Sequence, residues 1–143
     1  MDKHFVLGFL PGLQALLIFR FNAPIVFFNA PYFRKTALDA ISSSGTNLQW
    51  FVLDAIPVSQ IDVTGWHILT ELMNELEKRQ IRIVIAGRKS QIRGYAHNAG
   101  IPEEEIEGRL FSTVELAVRS YLERNPDIDS QDLALPSGPV DLT

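Results

Sequence analysis

Trp50-Phe51-Val52-Leu53-Asp54, a short loop, then Ile61-Asp62-Val63-Thr64-Gly65 is the stretch whose reading decides the fold. Leu48 to Ala55 is apolar without alternation, the pattern of a strand covered on both faces by helices, as in a parallel sheet. After the loop, Ile68, Leu69, Leu72, Met73 and Leu76 recur at helical spacing and lead into Glu77-Lys78-Arg79, whose bases suit a helix C-terminus. Ile81 to Gly87 reads as a second strand. Strand, helix and strand in this order make a right-handed βαβ unit with parallel strands. Asp62 and Thr64 then fall at the start of the crossover helix, where backbone N–H groups lack partners.

Upstream, Leu13 to Arg20 and Pro24 to Asn29 are two apolar runs joined by Phe21-Asn22-Ala23, and we read them as an antiparallel hairpin. Asn29 is placed to cap a helix carrying Pro31 in its first turn and Phe33, Ala37, Leu38 and Ile41 on one face. Residues 1 to 12, ending at Pro11-Gly12, read as a leader. Downstream, a helix from Ser90 to Ala99 stops at Gly100, and Ser112-Thr113-Val114-Glu115 is a capping box for a last helix that turns Val114, Ala117, Val118, Tyr121 and Leu122 inward. The expected architecture is α/β: one domain over residues 13–125, a mixed sheet of antiparallel hairpin plus parallel βαβ unit, about four helices, and a mobile acidic tail over 126–143.

Composition narrows the function classes. The 143 residues carry 46% hydrophobic and 21% charged side chains, those of a globular domain with a core of its own. The net charge of −4 equals the four aspartates beyond Arg124, namely Asp127, Asp129, Asp132 and Asp141, so the body of the chain is neutral and has no electrostatic footprint for nucleic acid. Without cysteine there is no disulfide frame or thiolate metal site, and His4, His67 and His97 are scattered, so no metal site is expected. The apolar stretch from Phe5 to Phe19 is interrupted by Gly8, Pro11-Gly12 and Gln14 and falls short of the ~20 residues of a membrane span. No nucleophile and base stand in a motif that would predict catalysis, and no glycine-rich loop cradles phosphates.

The candidate sites follow from the βαβ geometry. Thr64 reads either as a phosphoacceptor or anion-sensing hydroxyl facing the positive end of a helix dipole, or as a plain helix cap. Asp62 and Gly65 read as residues that order this turn or are recognised there. Parallel strands share one C-terminal edge, which is expected to bring Arg88, Lys89 and Arg93 beside Thr64 as a site for an anion, a nucleotide or an acidic partner, or as a solvated basic cluster. Tyr32, Phe33 and Trp66 are candidates for a docking patch, with core packing the default.

With these elements placed, the sequence resembles the STAS domain, shared by bacterial anti-sigma-factor antagonists and the cytoplasmic C-termini of SulP anion transporters. The resemblance covers roughly Leu13 to Leu122 and centres on the strand ending at Asp54, the Asp62-Val63-Thr64-Gly65 turn, Arg82-Ile83-Val84-Ile85-Ala86-Gly87 and Asn98-Ala99-Gly100-Ile101. Leu17-Ile18-Phe19-Arg20-Phe21, Phe27-Phe28-Asn29-Ala30 and Trp50-Phe51-Val52-Leu53-Asp54-Ala55 with Pro57-Val58 look like the SulP branch. That branch implies a non-catalytic regulatory or assembly domain of a transporter of sulfate, bicarbonate or a similar anion, on the cytoplasmic face of the inner (plasma) membrane. Residues 1–12 would be its tether. The implied partners are the transporter's own membrane domain, a second copy through the parent transporter, or a cytosolic protein. No cofactor is implied beyond weak anion or nucleotide binding. The antagonist branch implies instead a switch phosphorylated at Thr64. Antagonists commonly carry Asp-Ser-Ser-Gly at this turn; here Val63 and Thr64 stand where the two serines would be.

Overall fold

Strand alternation sorts the apolar side chains onto two faces, and helices cover both. The structure, a computed structural model, describes residues 7–10, 13–44 and 47–124, with side chains from Ala15 onward. Five strands lie in the order β1 (Leu7–Leu10), β2 (Leu13–Arg20), β3 (Trp50–Asp54), β4 (Arg82–Ala86) and β5 (Leu110–Phe111). β1 is antiparallel to β2, and β2 to β5 are parallel to one another. The helices are α1 (Ala30–Ser43), α2 (Val63–Glu77), α3 (Lys89–Asn98), the single turn α4 (Glu103–Ile106) and α5 (Val114–Arg124).

Leu17 and Phe19 of β2, Phe51 and Leu53 of β3, and Ile83 and Ile85 of β4 point to one face, where they pack with Phe33, Trp66, Leu69, Leu72 and Ile92 from α1, α2 and α3. Their neighbours Leu16, Ile18, Trp50, Val52, Val84 and Ala86 point to the other and meet Ala117, Val118 and Tyr121 of α5. Both faces of the three middle strands are therefore buried, which is why they read as continuous apolar runs. Arg34 of α1 is joined to Glu75 of α2 at 2.8 Å.

The hairpin is present, but its strands are not the expected pair. Leu7–Leu10, read as part of a leader over 1–12, is β1, with Leu7 opposite Phe19 and Leu10 opposite Leu13. Two residues separate the two strands in sequence, and Leu10 stands opposite Leu13. Pro24 to Asn29 is not a strand; its only ladder contact is an isolated parallel bridge from Ile25 to Ile61. The segment closes on itself, because the N–H groups of Asn29 and Ala30 donate to the carbonyl of Val26. Two short elements, α4 and β5, had no pattern long enough to be read. Residues 1–6 and the tail 126–143 lie outside the described residues.

Candidate functional site

The first turn of α2 is fixed by a carboxylate rather than by Thr64. Asp62 is the N-cap: its Oδ1 accepts from the N–H of Gly65 at 2.8 Å, the bond expected of aspartate three residues before an unpaired helix donor. Its Oδ2 accepts from the N–H of Phe27 at 2.9 Å, thirty-five residues away in sequence. One side chain thus caps α2 and pins the 24–29 turn to it. Thr64 is the second residue of the helix and exposed, so the reading of Thr64 as the cap is corrected to Asp62. A similar shift holds at α5, where Thr113 rather than Ser112 receives the N–H of Leu116.

Gly65 is required by proximity. A Cβ on it would lie 2.1 Å from the carbonyl oxygen of Ile25, inside any permitted contact. The helix therefore presses its backbone directly onto the 24–29 turn. Three further bonds hold that turn: Asn29 Oδ1 accepts from the N–H of Val26, Asn29 Nδ2 donates to the carbonyl of Pro24, and the N–H of Ile25 donates to the carbonyl of Gln60. Asn29 flanks α1 as expected but makes no side-chain cap bond there, its amide being spent on the preceding turn. At the tip, Phe27 and Phe28 are 69% and 73% exposed and meet edge to face with ring centroids 5.6 Å apart. Of the three aromatic candidates, Phe33 and Trp66 are fully buried, as the default of core packing has it, and Tyr32 is exposed; the most displayed rings are Phe27 and Phe28.

Arg88, Lys89 and Arg93 occupy the same C-terminal edge of the sheet but the other side of β3. The 24–29 turn follows β2, whereas Arg88 and Lys89 follow β4; one strand lies between them, a separation of about 10 Å. The loop after β3 touches the β4 side, with Tyr95 Oη donating to the carbonyl of Ser59 at 2.6 Å. Lys89 and Arg93 line a cleft of ≈ 150 Å³ with Glu107 and Gly108, and Arg93 lies 4.0 Å from Glu103. The fold therefore brings Asp62, Thr64 and Gly65 together with Phe27, and sets Lys89 and Arg93 in a separate, mixed-charge cleft that Arg88 does not line.

Two carboxylates that a catalytic reading would single out serve the scaffold. Asp54, the register partner of Arg20, accepts from the N–H of Ile56. Burial pushes its carboxyl above the ordinary value, opposed by that hydrogen bond and by Arg20. Asp62 has both oxygens occupied by backbone donors. At the opposite end of the sheet, a polar cluster escaped sequence reading: Arg109 donates to Glu77 Oε2 at 2.6 Å and to the carbonyl of Ile83 at 2.8 Å, beside Arg82, in a cleft of ≈ 380 Å³. Burial, with Arg109 adding to it, lowers the Arg82 guanidinium. No local pattern around Arg109 announces a bond that depends on the crossing of α2, β4 and α4.

The family model described as "STAS domain" matches residues 10–117, from the last residue of β1 through β5 and into α5. The chain belongs to the STAS domain family. A probable sulfate transporter of Mycobacterium tuberculosis is 30% identical over 134 residues, covering 83% of this chain and 24% of that protein. High affinity sulfate transporter 2 of Stylosanthes hamata is 27% identical over 139 residues, covering 81% and 21%. The crystal structure of a sulfate transporter family protein from Wolinella succinogenes superposes with a TM-score of 0.65 at 26% identity, over 85% of this chain and 93% of that one. This STAS domain thus spans about a quarter of the length of the curated relatives it matches. Among its described residues, no helix is long and apolar enough to cross a membrane.

Proposed function

We propose that this STAS domain is a non-catalytic regulatory or assembly module of an anion transporter of the sulfate type, held at the cytoplasmic face of the membrane and acting through contacts with the membrane part of the same protein. The observation that carries this reading is the match of 83% of the chain to a probable sulfate transporter four times its length. The site geometry supports it. Asp54 and Asp62 are committed to backbone donors, which suits a scaffold that presents a surface more than one that turns over a substrate. Thr64 is exposed, as a phosphoacceptor would need to be, but the two relatives described above are named as sulfate transporters, which favours contact over a phospho-switch.

The test is uptake of radiolabelled sulfate by cells expressing the full reading frame, with and without residues 7–124. Uptake by the whole protein that changes on deletion is expected; unchanged uptake would remove the regulatory role. Weak anion binding belongs to the same proposal, with Lys89 and Arg93 as the residues that would hold the anion. Titrating the domain with sulfate, bicarbonate and a nucleotide should move the amide resonances of Lys89, Arg93 and Gly108, and three flat titrations would end that part of it.

A further inference from the structure

The N-terminal edge of the parallel strands gathers cations that one carboxylate cannot satisfy. Arg82 opens β4, Arg109 precedes β5 and Arg124 ends α5. Glu77 accepts from Arg109 at 2.6 Å and lies 3.7 Å from Arg82, too far for a hydrogen bond. Arg82 Nε is buried with no acceptor among the described residues. Arg124 sits over the ring of Trp50, 5.5 Å from its centroid, and Trp50 is the register partner of Arg82. Burial, then Arg109 and more weakly Arg124, lower the Arg82 guanidinium, and Glu77 opposes them. Glu104, Glu105 and Glu107 line the cleft that Arg82 and Arg109 share on the α4 side, which neither Trp50 nor Arg124 lines. The surplus of positive charge therefore faces α5, and Lys78 and Arg79, exposed where α2 ends, extend it along the same edge.

The sequence that follows Arg124 has the opposite charge. Residues 125–143, beyond the described ones, hold Asp127, Asp129, Asp132 and Asp141 and no Lys, Arg or His, and they account for the whole net charge of the chain. At no more than about 3.6 Å per residue, Asp127 stays within ~11 Å of Arg124 and Asp129 within ~18 Å, whatever path the backbone takes. Carboxylates so near the end of α5 also meet the negative end of its dipole, which a cation must offset. We propose that the first aspartates of this tail, Asp127 to Asp132, lie across the N-terminal edge of the sheet on Arg82 and Arg124, as an acidic clasp carried by the chain itself. Each such pair is weak and screened by salt. The tether compensates, because it supplies an effective concentration on the order of millimolar, which a free anion or acidic peptide lacks. An acidic partner reaches Arg82 and Arg124 by displacing the tail. This inference concerns the edge opposite Thr64 and does not rest on the transporter reading.

The chain has no cysteine, so Ser130→Cys accepts a single nitroxide label, and the broadening of backbone amide resonances reports what the tail touches. In the whole 143-residue chain at low salt, the amides of Gln49, Lys78, Arg79 and Arg82 are expected to broaden several-fold more than in the same labelled chain carrying Asp127→Asn, Asp129→Asn and Asp132→Asn. Salt at about 0.5 M should bring the two chains together. The neutralised tail alters no described side chain, so the comparison does not depend on a variant of the core. Equal broadening with charged and neutralised tails overturns the clasp, as does broadening that salt leaves unchanged. Broadening that arises when a nitroxide-free, isotope-labelled chain is mixed with an unlabelled chain carrying the nitroxide assigns the tail to a second copy and overturns it too. Arg82→Gln with Arg124→Gln should reproduce the pattern of the neutralised tail; persistent broadening at Lys78 and Arg79 in that variant would overturn the assignment to these two arginines.

Discussion

Two apolar segments follow one another in the chain, β2 and the 24–29 turn, and they meet opposite fates. β2 runs between β1 and β3, with Leu16, Leu17 and Phe19 wholly shielded from solvent. The turn carries Val26-Phe27-Phe28, equally apolar, and leaves both phenylalanines in water. What separates them is where their backbone groups find partners. β2 has a ladder on each side; the turn has Asn29, Asp62 and its own carbonyls. Hydrophobicity alone does not decide burial: a polar group that claims a backbone donor can hold an apolar side chain outside the core.

The largest break of this comparison is on the β2 side. Phe19 packs against Phe33 and Phe51 with ring centroids 6.1 and 5.3 Å away, and Phe19→Ala should cost about 3–5 kcal/mol, read as a fall in the denaturant midpoint. Next comes Gly65→Ala. The new Cβ has the Ile25 carbonyl in its way, so the turn must lift from α2, at about 1–3 kcal/mol. Amide resonances of Ile25 to Phe28 should shift while those of β3 and β4 stay in place; unchanged turn resonances would mean that the helix and turn are not in contact.

Asp62→Ala sharpens the same point with a smaller effect. It removes the cap of α2 and the anchor of Phe27 together, for about 1–2 kcal/mol. The Phe27 amide should then exchange hydrogen much faster while the Phe19 amide remains protected. Equal protection at Phe27 would show that Asn29 holds the turn without help.

The parallel βαβ unit was legible because α2 carries a helical period between two continuous apolar runs, β3 and β4, whose burial on both faces leaves no alternation to mislead. The hairpin was misplaced because its register depends on which of two apolar runs meets β2. Asn29 closes the 24–29 segment on itself as a turn rather than a strand, and Asp62, an ordinary turn residue in sequence, holds it through a bond that spans the fold. Gly65 could be seen as a turn glycine but not as a contact point, since Ile25 lies forty residues earlier. The same reason hid Arg109, whose partners come from three other places in the chain.

A pH titration separates the two regions more gently. Burial raises the Asp54 carboxyl, so its ionised form is less stable in the fold than in the unfolded chain. The stability it adds is present at low pH, below the ordinary carboxylate value of 3.8, and is lost as pH rises through the raised folded value. Asp54→Asn keeps an acceptor for the Ile56 N–H and removes the ionisation. The variant's midpoint should therefore lie slightly above the parent's at pH 7 and converge on it below pH 3.8. A variant less stable at pH 7 would show that the charge on Asp54 serves Arg20 more than burial opposes it.

The smallest change in stability is expected where the apolar residues are most exposed, and this is what gives it meaning. Phe27→Ser with Phe28→Ser removes two aromatic rings that touch chiefly each other, leaves the Asp62 and Asn29 bonds to the backbone intact, and should shift the unfolding free energy by no more than about 0.5 kcal/mol. The matched loss of a single ring from β2 is several times larger. A substantial loss of stability from the double variant would place the phenylalanines in the core's service and end the contrast. An unchanged midpoint in the isolated domain, with altered sulfate uptake in the full-length protein, would instead assign the two rings to contact outside the fold.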